Sequence, residues 1–361
     1  MVQQDGSIAY FLGANSGDGF FSLYDELIEE SRAAAFYVLK GGPGCGKSTL
    51  MRKVGQKLEE AGFAVEYIIC SGDPDSLDGI LIPEKAIAMV DGTSPHVIEP
   101  SYPGALGHYI NLGKYYDRKA LRSSGEELVR LTKAYKSCYT RAYQCLRAAR
   151  EIRRKGEQVF LTNTAISKAE KRADGILSRE LRKKVGGRGK EVRRFLSGIT
   201  CEGILSLHET VYSQCKRVYE LQESCGLASV MLNRIREGAL VAGYDLVVCP
   251  LGEDPEKLAH ILIPELSLAF VTTVGGETLG KRPYRRIRMD TIADRELLKE
   301  HRSKLRFSNR MADELVKDGI RELRGAKAFH DQMEALYHPH VDFKGVDKLT
   351  AELTREILSF S

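Results

Sequence analysis

The sequence predicts an α/β fold made of two tandem three-layer domains, each with a parallel sheet between helices and each followed by a helical segment. Three observations predict it. The chain repeats itself at an offset of about half its length, a glycine-rich loop joins an apolar strand to a helix, and amphipathic stretches follow each half. With 361 residues the chain can bury two cores, and its 43% hydrophobic and 29% charged content is that of a globular protein, which argues against disorder or a fibre.

The duplication is legible in two places. Phe11-Leu12 followed by Gly19-Phe20-Phe21-Ser22-Leu23 recurs 184 residues later as Phe195-Leu196 followed by Gly203-Ile204-Leu205-Ser206-Leu207. Asp73-Pro74, Leu77 and Ile80-Leu81-Ile82-Pro83-Glu84 recur 181 residues later as Asp254-Pro255, Leu258 and Ile261-Leu262-Ile263-Pro264-Glu265. A weaker echo links Leu146-Arg147-Ala148-Ala149 to Leu323-Arg324-Gly325-Ala326 and places a helix at the end of each half. These marks divide the chain into 1–115, a basic helical segment 116–190, a second copy 191–290 and a C-terminal helical segment 291–361.

In the first half, Phe36-Tyr37-Val38-Leu39 is suited to a buried strand, and Ser48 to Glu59 has helical periodicity. Between them stands Gly41-Gly42-Pro43-Gly44-Cys45-Gly46-Lys47-Ser48, a Walker A motif, with Thr49 next. Glycines let successive backbone N–H groups converge on phosphate oxygens, and the helix N-terminus adds partial positive charge. The motif's mechanics assign Lys47 to the β and γ phosphates and Ser48 Oγ to magnesium. Gly41, Gly42, Pro43, Gly44, Cys45, Gly46, Lys47, Ser48 and Thr49 are thus the expected ATP-binding residues. Ala86-Ile87-Ala88-Met89-Val90-Asp91 fits the apolar strand whose terminal acid helps hold magnesium, which makes Asp91 the second expected metal residue.

The second copy has lost this chemistry. Aligned without gaps, Glu223 to Val230 lie opposite the loop, which sets Ser229 against Lys47, Val230 against Ser48 and a carboxylate, Glu223, beside the phosphates. Thr272 replaces Asp91. The two losses together imply that both features served one site.

With these motifs the chain resembles the P-loop NTPase superfamily, and more narrowly the bacterial ATP-binding proteins with a duplicated P-loop domain. Gly41 to Met51, Cys70 to Glu84, Val90 to Pro100 and the repeated Gly-x-x-Ser-Leu carry the resemblance over nearly the whole chain. It implies tandem P-loop NTPase-like domains, the second degenerate.

Hydrolysis needs a group that orients water, and Gly92 stands where many such ATPases carry Glu. Glu84, Asp73, Asp75, Asp78 and His96 are the candidates near strand ends. The Asp-Pro turn and Glu84 persist in the degenerate copy, as structural features would, whereas Asp78 faces Ala259 there; Asp78 therefore joins Lys47 and Asp91 as an expected catalytic residue. Arg188, Arg193 and Arg194 are placed to supply a finger, against the plainer reading of linker charge.

Residues 116–194 carry a net charge of plus 14 and the remainder minus 9. Leu128, Leu131, Tyr135, Tyr139, Ala142 and Leu146 predict an amphipathic helix from about Glu126 to Lys155 that pairs as a hairpin with a helix near 164–185. Its basic face suits nucleic acid, an acidic protein partner, docking onto the acidic remainder, or plain solvation. His330, Glu334 and His338 share a helical spacing that metal ligands use, but Pro339 predicts that His338 and His340 sit in a turn. Eight cysteines without a C-x-x-C spacing predict reduced thiols. The lack of a signal or spanning segment predicts a cytoplasmic chain without a membrane partner, its oligomeric state open. The function expected is Mg-ATP binding and hydrolysis by the first copy, with the second as structural or regulatory partner. A small-molecule or nucleotide kinase and a non-catalytic ATP-sensing or nucleic-acid-binding module are the alternatives.

Overall fold

The computed structural model describes residues 7–30, 34–93, 97–100, 102–184 and 186–360. The first half runs β1 (Ile8–Tyr10), β2 (Gly13–Ser16), β3 (Gly19–Ser22), α1 (Tyr24–Glu30), β4 (Ala35–Lys40), α2 (Lys47–Glu60), β5 (Glu66–Ile69), β6 (Leu77–Ile82), β7 (Ile87–Asp91) and β8 (Gly107–Asn111). An arm follows: α3 (Arg118–Leu121), α4 (Gly125–Glu157) and α5 (Asn163–Glu180). The series then recurs as β9 (Glu191–Arg193), β10 (Ser197–Ile199), β11 (Ile204–Ser206), α6 (His208–Gln214), β12 (Arg217–Glu223), α7 (Leu227–Val241), β13 (Leu246–Leu251), β14 (Asp254–Ile263), β15 (Leu268–Val274) and β16 (Arg285–Arg288). Its arm is α8 (Arg295–Tyr337) and α9 (Phe343–Ser359).

The described residues form two six-stranded sheets with matching order, β1-β5-β6-β7-β4-β8 and β9-β13-β14-β15-β12-β16. Contrary to the parallel sheets that the sequence predicts, both are mixed: β6 and β14 run antiparallel to both neighbours. The reason is connection length. Only Pro83 to Ala86 join β6 to β7, in a short turn closed by Ala86 in the left-handed region at φ +49°, and a parallel pairing needs a crossover of a dozen or more residues. The repeat has the same turn, with Ser267 at φ +50°.

The halves meet about a pseudo-two-fold axis that the duplicated Phe-Leu pair marks. Phe11 and Phe195, equivalent residues, exchange both backbone hydrogen bonds at 2.9 Å. Nearby, Asn15 donates through Nδ2 to the Ile199 carbonyl at 2.8 Å, and Thr210 Oγ1 both accepts from the Ala9 N–H and donates to the Ala9 carbonyl. One core therefore spans the facing sides of both sheets, from Tyr10 and Val38 to Leu262 and Val271.

The helices are exchanged. α4 forms no hairpin with α5; it packs along α8, where Ala142, Leu146 and Ala149 meet Ala312, Val316 and Leu323. The two arms carry the same kind of apolar stripe, so pairing them across the axis buries both. α5 then lies on α7 of the second half, and α9 returns to α2 of the first. Side-chain caps start these helices: Thr162 for α5, Asp294 for α8 and Asp342 for α9.

Much of the basic segment is spent inside the molecule. Arg141 pairs with Glu322, Arg153 with Glu253 and Asp313, Arg154 with Asp254 and Glu256, Lys184 with Glu265, and the buried Arg194 with Glu66. All eight cysteines carry free thiols. Among the described residues no helix is long and apolar enough to cross a membrane.

Buried His260 on β14 accepts the Thr272 N–H through Nδ1 at 3.2 Å. Burial, and secondarily His208, pushes its imidazole down from 6.5 to about 3. Between those values the unfolded chain holds a proton that the folded chain excludes, so stability is lost as pH falls from 6.5 toward about 3. His260→Gln is expected to shrink the drop in melting temperature between about pH 7 and about pH 4; an unchanged drop would remove His260 from the acid response.

Candidate functional site

β4 lies between β7 and β8 and runs parallel to both, with Leu39 paired to Asp91 in register. The loop from Gly41 to Gly46 thus leaves the carboxyl end of β4 beside the carboxyl end of β7. Gly44 and Gly46 adopt φ of +67° and +88°, which side-chain-bearing residues rarely do, and α2 begins directly at Lys47. Leu50, Met51, Val54 and Leu58 anchor that helix in the core, so its N-terminus cannot drift.

Lys47 Nζ donates to the carbonyls of Gly41 and Gly42 at 2.8 and 3.0 Å and lies 3.5 Å from Asp91 Oδ2. Burial works against its ammonium, but Asp91 leads the groups that outweigh burial and hold its pKa above that of an ordinary lysine. Ser48 Oγ accepts the Leu77 N–H at 2.9 Å. Asp91 Oδ1 accepts the N–H and hydroxyl of Thr93 at 2.8 and 2.5 Å, which fixes its carboxylate. These groups line a cleft of 380 Å³ together with Pro43, Gly44, Cys45, Gly46 and Thr49. Gly41 and Gly42 lie behind it, their carbonyls turned to Lys47.

The structure sorts the other candidates. Asp73, Asp75 and Asp78 line the cleft, and buried Asp78 accepts the Tyr24 hydroxyl at 2.9 Å. Glu84 does not: because β6 runs against its neighbours, its far end falls beside Ala35, at the opposite edge of the sheet from Asp91. His96 lies outside the described residues. Arg188 pairs with Glu237, Arg193 lies over the Phe21 ring and Arg194 is bound to Glu66; none of the three lines the cleft.

Sequence reasoning missed that the second half's arm builds one wall. Lys327, His330, Glu334, His338 and Phe343 all face the cleft. Glu334 Oε1 accepts the Gly44 N–H at 3.1 Å, Lys327 Nζ stands 3.7 Å from Asp73 Oδ2, and Phe343, beside Gly46, holds its ring tilted against that of His338 with 4.7 Å between centroids. Beside them Tyr135 and Tyr139 of α4, whose periodicity had suggested core alone, also line the cleft, the Tyr135 ring 6.1 Å from that of His330. His338 and His340 occupy the turn that Pro339 predicts. Among the described residues, His330, Asp331 and Glu334 form a group whose ligand atoms lie close enough to hold a metal ion, and His338 is not part of it.

The second loop corrects the gapless alignment. Gly62 and Gly243, 181 residues apart, end α2 and α7 at φ +92° and +88°, and Ser229 Oγ accepts the Leu258 N–H at 3.0 Å just as Ser48 accepts that of Leu77. Ser229 is therefore the counterpart of Ser48 rather than of Lys47, Ala228 replaces Lys47, and Val230 follows the helix inward. The strands that lead into the loops, β4 and β12, keep the 182-residue offset, Leu39 with Leu221, so the second loop is one residue shorter. Glu223 fills the nest of N–H groups with its own carboxylate. Oε1 accepts from Ser224, Cys225 and Gly226 at 2.6, 2.6 and 2.9 Å, and Oε2 from Ala228. Desolvation raises its pKa, while these N–H groups favour the charged form.

Residues 21–86, from β3 through the glycine loop to the turn after β6, match the family model described as Nephrocystin 3, N-terminal. No curated protein and no solved structure matches the chain.

Glu223→Ala leaves several N–H groups facing one another without an anion. It is expected to cost about 2 to 3 kcal/mol in urea unfolding. An unchanged midpoint would mean that the loop holds its shape unaided.

Proposed function

We propose that the first half binds Mg-ATP in this cleft and hydrolyses it slowly, with the second half as structural and regulatory partner. One observation carries the reading: a lysine, a hydroxyl and a carboxylate, Lys47, Ser48 and Asp91, converge at a left-handed glycine loop that opens a helix. Backbone N–H groups at such a terminus favour an anion, and the raised pKa of Lys47 keeps its ammonium charged to pair with phosphate oxygens. Ser48 and Asp91 would hold magnesium, which when bound supplies charge neutralisation on the phosphates. Both residues fit that duty: Asp91 Oδ2 points to Lys47, not into the Thr93 contact, and Ser48 Oγ spends only one lone pair on Leu77.

Asp78 is the acid nearest the role of orienting water, since it lines the cleft and Tyr24 fixes it. Its commitment to Tyr24, together with Gly92 after Asp91, argues for slow turnover. Phosphate transfer to a small acceptor is the second reading, favoured by the continuation of the cleft past Asp91 to Cys70, Tyr135 and Tyr139.

Phosphate release from Mg-ATP by the wild type and Lys47→Ala, with and without nucleic acid, tests the proposal. Release that depends on Lys47 is the expected result, and equal release from both proteins would overturn it. Mg-ATP at about 100 times its dissociation constant should stabilise the wild type by about 2.7 kcal/mol in a melt, and Ser229→Ala should leave that ligand-induced shift unchanged.

A further inference from the structure

We propose that Glu334 is an internal stand-in for the triphosphate, so that nucleotide binding expels its carboxylate and releases the end of α8 toward the second half. The inference rests on the nucleotide-binding reading above and adds a mechanism of regulation to it.

Gly44 is where the arm and the loop touch. Its N–H donates to Glu334 Oε1, and a Cβ there would lie 3.2 Å from the Glu334 carbonyl oxygen and 3.3 Å from its Cα. A loop N–H aimed at the cleft is what a phosphate oxygen would accept from, and one donor cannot serve both anions fully. Like charge adds to the conflict, because a carboxylate beside polyphosphate in a partly desolvated cleft is repelled.

The second half supplies the comparison. There too a carboxylate occupies the nest, but it comes from the loop itself, Glu223, and four N–H groups hold it. The repeated Leu146 and Leu323 set the counterpart of Glu334 at Glu157, which also stands at its loop, since a Cβ on Gly226 would lie 3.1 Å from Glu157 Cβ and from its Oε2. The arms thus bring a carboxylate to both loops, but Glu334 accepts a loop N–H whereas Glu157 is paired with Lys257. Glu334 is also the more easily displaced of the two: its side chain is 40% exposed, and one N–H bond ties it to the loop.

Release has a path to travel. α8 is one continuous helix of 43 residues, and at its other end Leu297, Leu298 and Leu305 pack into the core of the second half. His330, 3.9 Å from Glu334, and Lys327 lie on the same face. Lys327 also reaches Asp73, so the segment from Lys327 to Tyr337 is the part of the arm that the cleft can push.

Two variants separate displacement from general repulsion. Glu334→Gln removes the charge at constant size; Glu334→Asp keeps the charge but falls one methylene short of Gly44. The proposal expects calorimetry to show Mg-ATP binding about tenfold tighter in Glu334→Gln and several-fold tighter in Glu334→Asp, a tenfold change being about 1.4 kcal/mol. Hydrogen exchange across 327–337 should quicken when Mg-ATP is added to the wild type and not when it is added to Lys47→Ala. Unchanged affinity in both variants, tightening in Glu334→Gln alone, or slower exchange in 327–337 on adding Mg-ATP would each overturn it. If neither the wild type nor the variants bind Mg-ATP, the nucleotide reading falls and this inference with it; binding by the wild type with no change in the variants overturns this inference alone.

Discussion

The architecture depends on an exchange. Each half builds a sheet and a helix behind its glycine loop, α2 or α7, and each leaves that helix to be covered by the other half's last helix, α9 or α5. The apolar faces involved, Val346, Leu353 and Ile357 on one side and Ala165, Ala169, Ala173 and Ile176 on the other, are buried in the cores that these exchanges close. Their burial, at some 25 cal/mol per Å² of apolar surface, adds to the polar contacts at the axis in tying the halves together. The same exchange brings α8 across the first loop, so the wall of the cleft follows from how the core closes.

Within that frame one recurring constraint decides the detail. A left-handed glycine turn at a helix start aims several N–H groups at one point, and the chain places negative charge there in both halves. Losing lysine in the second loop left that requirement in place, and Glu223 meets it. The second loop therefore keeps a nest of N–H groups and fills it with its own carboxylate.

Local features were legible in the sequence. The duplication, the glycine loop between strand and helix, the end of β7 at Asp91, the amphipathic arm and the turn at Pro339 all follow from spacing and residue type, which act over a few residues. What could not be read depends on distance or on a gap. Strand direction at β6 turned on whether four residues bridge two apolar runs as a hairpin, a reading the superfamily resemblance discouraged. The loop in the second copy hid a deletion, so Ser229 was matched to the wrong residue. Glu334 carries no local sign of its contact, since 290 residues separate it from Gly44. The internal pairing of Arg153 and Arg154 could not be read because their acids, Glu253 and Asp254, are 100 residues away.

The crossing of the arms also sets an order of events during synthesis. The glycine loop and α2 leave the ribosome early, yet the helix that covers α2 is α9, which ends at Ser359. A nascent chain can pair β4 with β7 and β8 as soon as these emerge, but it must carry the apolar side of α2 unprotected while the rest of the polypeptide is made. The loop is translated well before the helix that completes its surroundings, and a chain stopped short of α9 would expose that surface.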